Sequence, residues 1–385
     1  MVYQVKDVYD ALNDLSGGRC RQSEENSRFF VTKDSGIGKA VRETPGLVWG
    51  NPEMEVKKLA VIMTLNESAI ELAAATGVNV IIAHHPIADA ANSGGVPLKF
   101  YLDTYNIAVL ECHEAFHGLH PGIPFLHGHK PQFTSVAYGG IPGNIVYVGE
   151  VLPEIKTIGE MVDRLNGYMD VETDKQMLAM ERSVCGCEDI QETGVVAQCN
   201  ILLGDRDRPI RRVIHMFPHT GFNAKHLEQL KTEYPDVDTV LATISRVYPG
   251  HELIAKAEEL GMNFVCGNSH ALEISENGMP LAYALGQHLP EAEIVIFRER
   301  VTSTPVHEFG SPQIREYAEN IATDYLRGSL PVKERGAMLG SKTNHDEAVD
   351  ATARYRHKIF DTIGENTYGP RTGMHRRNPQ FRKVL

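Results

Sequence analysis

Histidine is the residue type in this sequence that most clearly points to chemistry. The chain has 17 histidines, and one run of 17 consecutive residues holds five of them: His113, His117, His120, His127 and His129. A further pair, His84-His85, lies upstream, and His270 is followed three residues later by Glu273. Imidazole and carboxylate are common ligands of zinc and similar ions. The residue types therefore predict a metal site.

The spacing within these pieces supports metal binding. On a helix, His113 and His117 would share one face, and so would His270 and Glu273. If the pieces converge, they would suit two ions about 3.5–4 Å apart that share and activate a bridging hydroxide. A single histidine pair is more often part of a loop or of a satisfied core. Three such pieces at three predicted strand ends favour a metal site.

The surrounding elements explain why these pieces would meet. Apolar runs predict strands at 58–63 and 78–83, and a helix at 67–75 between them is capped by Asn66 and ended by Gly77. This is a βαβ unit with a parallel sheet. Its second strand runs directly into His84-His85. Ligands of open α/β sheets gather outside the carboxyl ends of the strands.

The alternation of strands and helices continues along the chain and predicts the α/β class. A strand at 107–110 leads into Glu111 and His113, and a strand at 262–266 leads toward His270. Further strands are predicted at 145–148, 212–217 and 237–242, and further helices at 5–15, 101–105, 155–165, 226–233, 253–260 and from 311 onward. Residues 170–210 show no clear period, and 113–129 is predicted to be a loop. We expect His120, His127 and His129 to be solvated residues of this loop, with support of a metal ligand as the alternative.

Composition and charge exclude several classes of protein. Lys+Arg number 38 against 50 Asp+Glu, a net charge of −12, which argues against binding duplex nucleic acid over a broad face. No run of 18 apolar residues predicts a membrane span, and the first residues do not resemble a signal peptide. Six cysteines are too few for a disulfide framework, so a reducing, cytoplasmic setting is expected.

Other motifs carry less weight. Cys185, Cys187 and Cys199 could hold a zinc ion, but no fourth ligand is evident, and a structural role is favoured. Neither a Walker loop nor a Gly-x-Ser-x-Gly elbow is present. Arg212 and Arg246 could face an anionic substrate, although exposed structural arginines are the simpler interpretation.

In its histidine motifs and the strands before them, the sequence resembles the Nif-three-like dinuclear metal-centre family, whose members are often labelled GTP cyclohydrolase I type 2 homologues. The motifs that carry the resemblance are Gly46–Gly50, Val80-Ile-Ile-Ala-His-His-Pro86, Ile107–His113 and His251–Glu273, within residues 46–300. The resemblance implies two α/β domains facing a central cleft, a metal site and a ring-shaped hexamer.

The resemblance also implies roles for particular residues. His84, His85 and His270 match family ligands of two metal ions. The family's aspartate position falls on His117, and an imidazole cannot bridge two metals as a carboxylate can; Glu111 or Glu114 could compensate. The closing glutamate is Glu273 or, at a longer spacing, Glu276. A family aspartate before the first helix is replaced by Thr64, which alters the support behind the ligands.

Two hypotheses of function follow. The first is a metal-dependent hydrolase acting on an unidentified, nucleotide-like substrate, since the family label suggests opening of a purine nucleotide ring. Its metal ligands would be His84, His85, His117, His270, Glu273 and Glu276, with His113 as a ligand or base and Glu114 as a second base. The second is a non-catalytic, metal-binding oligomeric scaffold or regulatory protein. A metal-free, ligand-binding α/β protein is a third alternative.

The predicted organisation is an N-terminal α/β domain (1–130), a second α/β region (131–300) and a helical or extended C-terminal extension with a basic tail (301–385). The boundary between the first two is left open, with discontinuous domains as the alternative. The cofactor would be one or two divalent ions of zinc, iron, manganese or nickel per chain. We expect no membrane and no nucleic-acid partner, and we expect a homo-oligomer, a hexamer by resemblance.

Overall fold

The chain divides into two units, Met1–Thr304 and Pro305–Leu385. The structure is a computed structural model that describes residues 2–22, 32–34, 40–42, 44–85, 98–113, 115–119, 122–217, 221–242, 247, 250–267, 270–324 and 326. Within these residues, no helix has the length and apolar character needed to cross a membrane.

Strands of the described residues form four sheets. They are β1 (Thr32–Asp34), β2 (Ala40–Arg42), β3 (Gly46–Trp49), β4 (Leu59–Ile62), β5 (Val80–Ala83), β6 (Ala108–Glu111), β7 (His129–Ser135), β8 (Ile145–Val151), β9 (Gln191–Glu192), β10 (Asn200–Leu203), β11 (Arg212–Phe217), β12 (Thr239–Ala242), β13 (Asn263–Cys266), β14 (Ile294–Ile296) and β15 (Thr302–Ser303). Two of the sheets are two-stranded pairs, β1-β2 and β9-β15.

Helices lie between most of these strands. They are α1 (Val5–Leu15), α2 (Glu67–Thr76), α3 (Leu98–Tyr105), α4 (Gly122–Leu126), α5 (Ile158–Tyr168), α6 (Val171–Cys185), α7 (Thr193–Val196), α8 (Ala224–Glu233), α9 (Glu252–Glu259), α10 (His270–Glu273), α11 (Met279–His288) and α12 (Pro312–Asp324). A π-helical turn, Ile274–Gly278, joins α10 to α11.

The first large sheet has the strand order β14-β4-β5-β6-β3. Its first four strands are parallel, and β3 runs antiparallel to β6. Every residue of β4, β5 and β6 is buried, as expected for a parallel sheet covered on both faces. Leu12 and Leu285 belong to the core on one face, and Ile70 and Leu102 to the core on the other.

Local signals in the sequence set the bounds of α2. The Asn66 side chain accepts a hydrogen bond from the Ala69 amide at 2.9 Å, which satisfies an open donor of the first turn. At the other end, Gly77 has a φ of 77°, a left-handed conformation that glycine adopts without steric cost. The predicted βαβ unit is confirmed, with β4 and β5 parallel.

The second large sheet has the order β10-β13-β12-β11-β8-β7. Its strands β11, β12 and β13 are parallel, and the remaining pairings are antiparallel. One face packs on Leu227 of α8 and Leu253 of α9, and the other on Met161 and Leu165 of α5. The predicted α/β class is confirmed.

The structure differs from the sequence prediction in two segments. Residues 170–210 contain the 15-residue helix α6, which buries only three residues and therefore shows little apolar period. The predicted loop 113–129 contains α4 and ends at the first residue of β7. In the second unit, the predicted helix start is confirmed, since Ser311 Oγ accepts from the Ile314 amide at 3.3 Å. The basic tail predicted for the 301–385 extension lies outside the described residues.

Candidate metal centre

The histidines that follow β5 and β6 lie at the same edge of the first large sheet, because these two strands are adjacent and parallel. β5 ends at Ala83 and is followed directly by His84 and His85, while β6 ends at Glu111, two residues before His113. Ala83 and Glu111 are paired across the sheet, so the chain leaves both strands at the same level. This is the edge at which α/β sheets bind ligands.

Three of these histidines form a buried group. Ligand atoms of His84, His113 and His117 all lie within 4.8 Å of one another. The ring centroids are 4.8 Å apart for His84 and His113, 4.8 Å for His113 and His117, and 5.4 Å for His84 and His117. All three side chains are buried. We call these residues group 1.

A second group forms beside the first. Ligand atoms of His85, His270 and Glu273 also lie within 4.8 Å of one another, and we call these residues group 2. The side chain of His270 is 47% exposed, that of His85 is 12% exposed, and that of Glu273 is buried. The centre therefore has one closed side, group 1, and one side that solvent can reach, group 2.

Glu273 is placed between the two groups. Its Oε2 lies 3.1 Å from His85 Nε2 and 3.0 Å from His270 Nδ1, and its Oε1 lies 3.7 Å from His84 Nε2. The two oxygens of one carboxylate thus face different groups. Asn277 Nδ2 donates to Oε1 at 3.2 Å and helps to fix the carboxylate.

Hydrogen bonds orient the two imidazoles that follow β5. His84 Nδ1 lies 3.0 Å from the carbonyl oxygen of Cys112, which can only accept, so this nitrogen carries the proton. His85 Nδ1 lies 2.9 Å from Thr64 Oγ1. In both rings Nε2 is directed toward Glu273, and fixing one ring nitrogen in this way is typical of metal-binding histidines.

Burial and charge set the protonation states. Burial lowers the pKa of His84 well below its usual value, outweighing the opposing effect of Glu273. Burial alone would raise the pKa of Glu273, but His85, His270 and His84 together hold it well below its usual range. Neutral imidazole and ionised carboxylate are the forms that bind metals.

The donors present fit a transition-metal ion. His84 Nε2 is buried and has no hydrogen-bond partner, which is costly unless another group occupies its lone pair. Imidazole-rich sets suit zinc, iron and nickel better than magnesium or calcium, which prefer oxygen ligands. The buried His/Glu groups could hold a metal ion.

The same region of the chain matches a known family. The sequence profile described as Duf34/NIF3 (NGG1p interacting factor 3) matches residues 40–91, which include β4, β5 and the His84-His85 pair. The resemblance to the Nif-three-like family is confirmed. No curated protein matches the chain.

One solved structure shows a related fold. The chain is similar to a Bacillus cereus protein related to NIF3, with 13% identity, a TM-score of 0.50, and coverage of 78% of this chain and 98% of that one. Reduced HcgD from Methanocaldococcus jannaschii is 16% identical, with a TM-score of 0.48 and coverage of 77% of this chain and 98% of that one.

The residues predicted for the Nif-three-like site are placed as follows. Group 1 and group 2 contain His84, His85, His117, His270 and Glu273, and also His113, which was predicted as a ligand or base. Glu276 is not in either group; its Oε1 lies 3.5 Å from His127 Nε2. Glu114, His120 and Arg246 lie outside the described residues.

Some contacts of the centre have no clear sequence signal. The Cys112 carbonyl and Asn277 both orient site residues, and only the position of Asn277 four residues after Glu273 could have suggested its role. Thr64 contacts His85 directly. Arg212 bonds Asp236 and Gln132, which agrees with the structural interpretation.

One sequence prediction about the histidine-rich stretch is wrong. His127 and His129 were expected to be solvated, but both are fully buried. They follow α4 and begin β7, where the chain enters the second large sheet. Cys185 is exposed while Cys187 and Cys199 are buried, and the described residues show no metal group that includes them.

Proposed function

We propose that this chain is a metal-dependent hydrolase with a dinuclear centre. Group 1 (His84, His113, His117) would hold one ion and group 2 (His85, His270, Glu273) the other. The observation that carries the proposal is the position of Glu273, with Oε1 toward His84 and Oε2 toward His85. A carboxylate in this position can bridge two ions.

We expect Glu273 to replace the bridging carboxylate that this chain lacks at His117. Where the family has an aspartate, this chain has His117, which cannot bridge. The bridge can come instead from the other end of the site, from a helix that begins directly at His270. The spacing of three residues between His270 and Glu273 places both side chains on one face of this helix.

The charge of the centre supports an anionic substrate. The two groups comprise five imidazoles and one carboxylate. With neutral imidazoles, two bound divalent ions would leave three positive charges. Nucleotides and phosphoesters carry the negative charge that such a site attracts. We therefore infer a nucleotide-like or phosphoester substrate.

The chain's own residues would perform distinct tasks. Divalent ions at these groups would act as Lewis acids and make a water molecule reactive near neutral pH. The Cys112 carbonyl and Thr64 hold the imidazoles in the correct orientation. Burial of group 1 excludes bulk water, and the exposed edge of His270 is where a substrate can be contacted.

A turnover assay tests the hydrolase. Nucleotides and chromogenic phosphoesters would be incubated with the chain and zinc, manganese, iron or nickel, before and after chelation. We expect metal-dependent hydrolysis that is lost in His85→Ala and His270→Ala. His288→Ala is the matched control, because this exposed histidine bonds only to Ala284 of its own helix in the contacts described. Bound metal with no turnover of any substrate would contradict the hydrolase.

The second candidate is a non-catalytic, metal-binding scaffold. The observation that favours it is the closed nature of group 1, in which all three imidazoles are buried and one ion would have no open side. Structural metal sites are closed in this way. The turnover assay separates the two candidates.

The remaining parts of the proposal concern organisation. We propose a cytoplasmic homo-oligomer, a hexamer by resemblance, with a first α/β domain at 1–130 that is discontinuous and also takes in β14 (Ile294–Ile296), a second α/β domain within 131–300, and an extension at 301–385. The six cysteines are all free, which agrees with a reducing compartment. The two large sheets each have their own core clusters, which supports two α/β domains within the first unit.

A further inference from the structure

The turn that carries two of the group 1 ligands ends in a way that needs support from outside it. The His113 carbonyl oxygen accepts from the amides of Phe116 at 2.8 Å and His117 at 3.3 Å, so both histidines belong to one helical turn. The turn ends at Gly118, whose φ of 71° lies in the left-handed region that favours glycine. The last carbonyl groups of such a turn have no partner within it and need donors from elsewhere.

Arg19 supplies a donor to these carbonyl groups. Its Nη1 donates to the carbonyl oxygen of His117 at 2.8 Å and to that of Ala115 at 3.3 Å. A guanidinium group remains charged in proteins, and a hydrogen bond from a charged donor is roughly twice as strong as one between neutral groups. One side chain therefore fixes the backbone of a metal-ligand residue and the backbone two residues before it.

Arg19 is itself placed by the N-terminal helix. It lies in a 3₁₀ turn that follows α1 and ends at Arg21. The side chain of Asn13, in α1, accepts from the Arg21 amide at 3.1 Å and fixes this turn. Leu12 of α1 packs in the same core as Phe116. Arg19 thus extends from a fixed segment, and its hydrogen bonds tie the ligand-bearing turn to α1.

Tyr147 contacts the same turn from the second large sheet. The Gly118 amide donates to the Tyr147 hydroxyl oxygen at 3.2 Å, and Tyr147 is buried. The ring of Tyr147 lies 6.1 Å from that of Phe217, which packs edge-on against His117 at 5.2 Å. Tyr147 belongs to β8 and Phe217 ends β11, and these two strands are paired. The peptide group after His117 and the ring of His117 therefore both contact the second sheet.

The two groups of the metal centre differ in how their ligands are supported. In group 2, the side chains of Thr64 and Asn277 contact the ligands directly. Group 1 takes two of its three ligands, His113 and His117, from one turn, and their rings are 4.8 Å apart. A shift of this turn would move both rings at once, and a metal site tolerates a displacement of only about 0.5 Å. Contacts that hold the turn therefore matter most for group 1.

We propose that Arg19 and Tyr147 are positioning residues of group 1, which hold the turn from two sides so that His113 and His117 keep the spacing that one ion requires. This inference rests on the dinuclear centre proposed above. Arg19 ties the turn to α1, and Tyr147 ties it to β8. Group 1 is complete only when the N-terminal segment and the second sheet both pack on the turn.

The zinc affinity of each group, measured separately by competition with a chromogenic chelator, tests this inference. In a His270→Ala background group 1 keeps its three donors, and in a His117→Ala background group 2 keeps its three. We expect Arg19→Met, which keeps the apolar stem but removes the donors, to weaken zinc binding about 10–100-fold in the first background and to leave it unchanged in the second. Arg19→Lys retains a charged donor and should recover part of the affinity.

Arg21→Met is the matched control. Arg21 lies in the same 3₁₀ turn as Arg19, but its side chain is 53% exposed and pairs with Asp10, so its loss should leave the zinc affinity of both backgrounds unchanged. Tyr147→Phe deletes one oxygen and keeps the ring, so it keeps the inference testable if Arg19→Met does not fold. It should weaken zinc binding by group 1 about tenfold and leave group 2 unchanged.

Two results would overturn the inference. One is an unchanged zinc affinity of group 1 in Arg19→Met or in Tyr147→Phe. The other is a loss of equal size in both backgrounds, which would indicate a general effect on folding. Failure of the His270→Ala background itself to bind zinc would instead contradict group 1 as a metal site, and the dinuclear centre with it. Zinc affinity is measured without turnover, so failure of the hydrolase would be seen separately in the turnover assay.

Discussion

Thr64 controls which nitrogen of His85 faces the metal centre. Its hydroxyl lies 2.9 Å from His85 Nδ1, and its backbone amide donates to Glu299 Oε1 at 2.5 Å, which fixes the threonine itself. A neutral hydroxyl polarises the imidazole less than a carboxylate does, but it still selects the orientation in which Nε2 faces Glu273.

Replacing this hydroxyl should weaken metal binding. We expect Thr64→Val, which preserves the side-chain shape, to lower the affinity for zinc about 10–100-fold, the range typical of lost support behind a ligand. Competition with a chromogenic chelator would measure the affinity. Thr64→Ser retains the hydroxyl and should bind zinc nearly as the parent chain does. Equal affinity in the valine variant would show that the hydroxyl does not position His85.

Glu273 should contribute to metal binding in both group 1 and group 2. We expect Glu273→Gln to reduce the metal content by two ions per chain under conditions where the parent chain binds both, because a neutral amide cannot bridge two cations. Elemental analysis measures the loss. Glu273→Asp keeps the charge but shortens the reach and should restore part of the binding. Loss of a single ion would mean that Glu273 serves only group 2.

At the scale of elements, the strands that carry the site were the most predictable part of the molecule. β4, β5 and β6 are continuous apolar runs, and the Asn66 cap and Gly77 mark the helix between the first two. The positions of His84, His85 and His113 followed from these strand ends. Local sequence was sufficient because each run must be buried on both faces.

The burial of His127 and His129 was not predictable from local sequence. After the buried His129, β7 alternates exposed and half-buried residues, but these residues are mixed in polarity and include Pro131, so the period-2 signal is weak. Burial of His127 and His129 depends on packing against β11 and the π-helical turn, which are distant in sequence. The position of Glu273 between the two groups likewise depends on contacts with His84 and His85, which are distant in sequence.

The cap of α2 should make a measurable contribution to stability. This helix follows β4 and leads into β5, which carries His84 and His85. We expect Asn66→Ala to lower the free energy of unfolding by about 1 kcal/mol, since the Ala69 amide loses its acceptor. Urea unfolding measures the change. Asn66→Asp, which also caps well, should remain close to the parent, and a loss of similar size in both variants would argue against the cap as the cause.

At the scale of the whole molecule, the candidate metal centre joins segments that are far apart in sequence. Groups 1 and 2 draw on residues after β5, after β6 and in α10, so an ion held by either group fixes distant parts of the first unit together. The ligand geometry does not exist in the unfolded chain. Binding free energy therefore adds to folding free energy.

Metal binding should accordingly raise thermal stability in a concentration-dependent way. An ion that binds only the folded chain adds about 2.7 kcal/mol per site at a free concentration 100 times its Kd. We expect the melting temperature to fall on chelation and to rise again with added zinc, as followed by circular dichroism. His85→Ala together with His117→Ala removes a donor from each group and should flatten most of this response. His288→Ala should respond as the parent chain does. If neither chelation nor added zinc changes the melting temperature of the parent chain, the buried imidazoles are held by packing alone.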